Sequence, residues 1–130
     1  MSNPFMNDPF ALIWMAFKRL YPDKECECWF DVVDDPNDKD GHYGWTEWRD
    51  DGTICVAVDI GLRLADAVEI FAHELAHVAV GSDADHNAEW EAAFDAIHAE
   101  YNRIGDELFD KHTPTESIDA KALKPKGETE

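Results

Sequence analysis

Positive charge is scarce in this chain. Its 130 residues include 11 Lys and Arg against 29 Asp and Glu, a formal net charge of −18. A surface of that sign repels phosphate backbones and anionic membranes, so direct nucleic-acid binding is not expected. Solubility is the plain account of the excess, although the same field collects divalent cations and positively charged protein segments. No run approaches the roughly 20 apolar residues that span a bilayer. The start, Met1-Ser2-Asn3-Pro4, lacks the basic region and cleavage pattern of a secretory signal, and the expected location is the cytoplasm. Cysteine is scarce as well. Cys26 and Cys28 alternate onto one face of a strand, Cys55 lies on another, and no pair has zinc-knuckle spacing, so buried free thiols are expected. Lys121, Lys124 and Lys126 are too scattered to form a nucleic-acid patch.

What the chain does have is the material for one core. Its length suits a single domain, and five Trp and seven Phe supply large apolar groups. Asp8-Pro9 is a cap followed by a favoured first helical residue. Phe10, Ile13, Trp14, Phe17 and Leu20 then form a stripe ending before Pro22. Strands are expected over Glu27 to Val33, Tyr43 to Arg49 and Thr53 to Asp59, the last two joined by a tight turn at Asp51-Gly52. In the loop from Asp34 to His42, Asp38, Asp40, Gly41 and Glu47 match part of a calcium-loop pattern. Its first ligand position falls on Pro36 and its flanks read as strands, so a solvated turn is expected. His42 and Tyr43 are within sequence reach of a cleft. Toward the carboxyl end Gly105 is expected to interrupt the last helix, with Leu108 and Phe109 as a possible extension. Residues 1–110 form the expected domain and 111–130 a polar, flexible tail.

Chemistry concentrates in His73-Glu74-Leu75-Ala76-His77. Two histidines four apart on a helix stand on one face, so both imidazoles can hold one metal ion while the glutamate between them reaches a metal-bound water. The surroundings suit a helix from about Ala67 to Val80: Asp66 and Glu69 have capping-box spacing, and Gly81 follows the last apolar residue. Val68, Phe71, Leu75, Val78 and Ala79 fall on one side of it, with His73 and His77 nearly opposite. A catalytic zinc takes three protein ligands and leaves one position open. His86, reached after a break at Gly81, is the candidate third ligand, and Asp83 and Asp85 are the alternatives. A further helix starting near Asn87 would bury Trp90, Phe94, Ile97 and Tyr101, with His86 at its amino-terminal lip.

A helix carrying His-Glu-x-x-His, a short loop, then His-x-x-x-Trp opening another helix resembles the SprT-like zincin metallopeptidases and their small phage-encoded relatives. The likeness includes the preceding strand, Thr53 to Ile60, and covers roughly residues 50 to 104. It implies an α+β, minimal zincin-like domain: an N-terminal helix, a small, mostly antiparallel three-stranded sheet, an active-site helix and a closing helix. Asn87 stands where family members often carry glycine, and asparagine tolerates unusual backbone angles. The loop before His86 is shorter than in bacterial and animal members. Nothing resembles their additional zinc-binding or DNA-binding segments, so the resemblance carries the protease core and no DNA-repair role.

The activity expected from these residues is zinc-dependent hydrolysis of peptide bonds in a protein substrate. His73, His77 and His86 would hold Zn2+ and Glu74 would act as general base. The resemblance further suggests that Thr53 to Asp59, or its neighbour, pairs as a strand edge with extended substrate. Glu69 and the aspartates near His86 are candidates for orienting the imidazoles. A different class of function is also open: an acidic, zinc-stabilised interaction protein that occupies a basic, nucleic-acid-binding partner without catalysis.

Overall fold

The computed structural model describes residues 4–32, 43–82 and 86–112. The calcium-like loop with His42, the alternative ligands Asp83 and Asp85, and the tail from residue 113 lie outside the described residues. The elements are α1 (Pro9–Leu20), β1 (Glu27–Asp31), β2 (Gly44–Trp48), β3 (Ile54–Asp59), α2 (Leu64–Val80) and α3 (Ala88–His112). This is an α+β arrangement of three helices and one small sheet.

Helix α1 begins as its sequence dictates. The Asp8 carboxylate accepts from the Phe10 and Ala11 amides at 2.9 and 3.4 Å, and Pro9 occupies the first turn. Ile13 and Phe17 are fully buried and join Val56, Val58, Phe71, Leu75, Trp90 and Ile97 in the main core. Each such side chain contributes about 1.5–3 kcal/mol on leaving water. Leu12 and Ala16, a turn apart on α1, pack against Ile104 of α3.

The sheet order is β1-β3-β2, with β1 and β3 parallel and β2 and β3 antiparallel. This mixed pattern corrects the mostly antiparallel expectation. The chain lays down β1, then β2, then returns β3 between them through the tight turn. Gly52 sits at φ 93° in that turn, and Asp51 accepts from the Thr53 amide and hydroxyl at 3.0 and 2.7 Å. Because β3 is central, every residue from Cys55 to Asp59 is buried, whereas all five residues of β1 are exposed. β3 is paired on both sides and is therefore not an edge; the free edges among the described residues belong to β1 and β2.

Two helix boundaries differ from expectation. α2 starts at Leu64, not near Ala67, with Arg63 at the cap position and no side-chain capping bond. Asp66 therefore lies within the first turn, where its charge favours the amino-terminal dipole and pairs with Arg63 at 3.4 Å. The carboxyl end is as expected: Gly81 takes φ 98° and its amide donates to the His77 carbonyl at 2.9 Å. α3 runs uninterrupted through Gly105, because Ile104 and Leu108 on either side of it pack against α1. The cost of an interior glycine, about 1 kcal/mol, is smaller than that packing gain.

The cysteines divide. Cys55 is buried as expected, but Cys28 is exposed and Cys26 only half-buried, because β1 is an edge strand. No helix among the described residues is long and apolar enough to cross a membrane.

Candidate metal centre

Helix α2 presents its two histidines as the spacing requires. Ala72, Leu75, Ala76 and Val78 are buried in the core, while His73 and His77 are half-buried and face Trp90 of α3. The chain leaves α2 at Gly81 and comes back at His86. There the Asn87 side chain caps α3 by accepting from the Trp90 amide at 3.0 Å. The unusual backbone angle falls on His86 itself, at φ 35°, and not on Asn87. A non-glycine residue in the left-handed region costs of order 1–3 kcal/mol and persists where its surroundings hold it. The role of Asn87 is thus the helix cap.

This turn carries His86 Nε2 to 3.0 Å from His77 Nε2 and 3.1 Å from His73 Nε2. One ligand nitrogen from each of the three lies within 4.8 Å of the others, close enough to hold one metal ion. Zinc–nitrogen bonds of about 2.0–2.1 Å in tetrahedral geometry separate ligand nitrogens by roughly 3.4 Å, so a few tenths of an ångström of opening seats an ion. Burial, then the charges of His77 and His86, push the His73 pKa down to about 4. Its imidazole is neutral at pH 7, the form that ligates.

Trp90 walls the centre. Its ring centroid lies 4.7, 5.5 and 4.6 Å from those of His73, His77 and His86, and its indole N–H donates to the His73 carbonyl at 3.2 Å. Phe94, one turn on, stacks against Trp90 at 5.1 Å with an interplanar angle of 10°. The stripe Trp90, Phe94, Ile97 read from sequence therefore packs α3 and shapes the centre together.

Glu74 is buried, with 6% of its surface exposed, and is not a member of the three-imidazole group. Its Oε1 accepts from the Thr46 hydroxyl of β2 at 2.7 Å. Gly44, two residues earlier on the same face, leaves room for this carboxylate: a Cβ there would stand 3.2 Å from Glu74 Oε2 and 2.6 Å from Ile70 Cγ2. Thr46 and Gly44 were not identified from the sequence. Their one signal is alternation in β2, which turns residues 44 and 46 toward α2, but strand pairing must be known before that face has meaning. Of the expected orienting residues, Glu69 is exposed. Tyr43 is 40% exposed just before β2, where its carbonyl accepts from the Asp59 amide at 2.8 Å. Searches of protein-family models, curated proteins and solved structures find no match to this chain.

Proposed function

We propose that the chain is a zinc-dependent peptidase acting on a protein substrate, with His73, His77 and His86 as ligands and Glu74 as general base. The observation that carries this reading is the convergence of three imidazole nitrogens beside a buried glutamate of the same helix that is not itself a ligand. Three imidazoles suit zinc among the abundant divalent ions, and three protein donors leave a coordination position for water or substrate. A bound zinc supplies Lewis acidity, lowering the pKa of water from about 16 towards about 7 and polarising a carbonyl.

The chain's own groups do the rest. Glu74 takes the proton from the attacking water and delivers it to the departing amine. Thr46 fixes one carboxylate oxygen, which directs the other. Trp90 and Phe94 exclude water from one flank of the imidazoles and hold His73 through its carbonyl. The free edge of β2, the strand that contacts Glu74, is the edge where extended substrate would pair.

The Glu74→Gln variant tests this. It is expected to bind zinc at one ion per chain and keep its fold while losing hydrolysis of an unfolded protein such as casein. Undiminished turnover in that variant would refute the mechanism, and a zinc-loaded parent with no hydrolytic activity would refute the reading.

A further inference from the structure

We propose that the free edge of β1, with the cavity beneath it, is a docking groove for an extended protein segment in which apolar and basic side chains alternate. This site lies across β3 from β2 and Glu74, and does not depend on the hydrolytic reading.

The strand exposes two large apolar side chains between its charged ends. Edge strands that avoid pairing are commonly short, covered or charged. Here all five residues are exposed, with Trp29 at 59% and Phe30 at 57%. Register with β3 assigns the two faces. Cys28 and Phe30 pair with the core residues Val56 and Val58, so they point to the helix side; Glu27, Trp29 and Asp31 pair with Cys55, Ala57 and Asp59 on the opposite face.

Under the helix side is a cavity of about 420 Å³ between β1 and α1, lined by Phe10, Trp14, Cys28, Phe30 and Phe71 among others. Its volume is within the range of ligand pockets, about 300–1,000 Å³. A strand added to β1 would meet backbone groups that have no strand partner among the described residues. Its alternate side chains would enter this aromatic cavity, and those between them would lie beside the Glu27 and Asp31 carboxylates and the Trp29 indole. Carboxylates flanking an indole favour lysine or arginine, by ion pairing and by cation–π attraction.

The chain's net charge of −18 strengthens the attraction for a basic segment. The same charge argues against a second copy as the occupant, since edge-to-edge pairing of two β1 strands would bring Glu27 and Asp31 of each copy together.

The test uses full-length, zinc-loaded Glu74→Gln protein, so that binding is read without cleavage. Fluorescence anisotropy is followed with a short labelled peptide of strictly alternating leucine and lysine. A block isomer of the same composition and an N-methylated form of the alternating peptide serve as comparisons. Binding is expected at one peptide per chain, at least about tenfold tighter for the alternating peptide than for either comparison. Ala11→Trp, which fills the cavity from α1, and Glu27→Lys with Asp31→Lys, which reverse the exposed charges, should each weaken it by about tenfold. The charge-reversed variant lies wholly on exposed positions, so it serves even if the cavity variant fails to fold. Equal affinity for the alternating and block peptides, or affinity indifferent to the charge reversal, would overturn the proposal. So would a stable dimer in sedimentation that dissociates on Ala11→Trp, which would assign the edge to a second copy.

Discussion

Replacing Thr46 with valine keeps the shape of the side chain and removes its hydroxyl, which donates to Glu74 Oε1 at 2.7 Å and lies 3.3 Å from the Glu74 carbonyl. Glu74 is only 6% exposed, so water cannot freely replace the lost donor. A hydrogen bond to a charged acceptor contributes about 1.5–3 kcal/mol, and the variant should lose stability of that order. With a urea dependence of about 1–3 kcal/mol per molar for a domain of this size, the unfolding midpoint should fall by roughly 1 M. Thr46→Ser, which restores the hydroxyl, should recover most of it. A cycle with Glu74→Leu, which removes the acceptor, isolates the pair: the two substitutions together should cost less than the sum of the singles, by about 0.5–3 kcal/mol. Equilibrium denaturation of zinc-loaded protein measures the stability side, and casein hydrolysis the functional side, where Thr46→Val should lower kcat with zinc content unchanged. A Thr46→Val midpoint equal to the parent's, or additive singles, would refute the argument that β2 holds the glutamate.

Three further outcomes are expected. Chelation should lower the thermal midpoint and zinc restore it, since an ion at 100 times its dissociation constant stabilises the folded state by about 2.7 kcal/mol; alanine at His73, His77 or His86 should abolish the response in a calorimetric titration. Gly44→Ala should destabilise by about 1–3 kcal/mol in denaturation, because its Cβ would press Ile70 at 2.6 Å and the Ala57 carbonyl at 3.1 Å. Hydrogen bonds from Arg103 and Arg19 hold the Glu100 pKa down to about 2, below its unfolded value of about 4.3. Its stabilising contribution is thus present above pH 4.3 or so and lost as pH falls through about 2. Melting curves of Glu100→Gln across that acid window should show a flatter decline than the parent.

Local spacing alone settled a good part of this protein. The Asp8-Pro9 start, the Asp51-Gly52 turn, the Gly81 stop and the four-residue interval of His73 and His77 each act through the backbone within one turn, so they are legible without knowing what lies nearby. His86 was a candidate on the same grounds: a break, a short return and the Trp90 stripe. Tertiary structure decided what local signals cannot encode. Gly105 fails to end α3 because Ile104 and Leu108 pack on either side of it and contribute more than helix propensity does. The insertion of β3 between β1 and β2 depends on contacts distant in sequence. From that one topological choice follow the burial of both faces of β3, the aim of Thr46 at Glu74 and the open edge of β1. An alternating strand has two faces, and only its partners determine which of them becomes the inside.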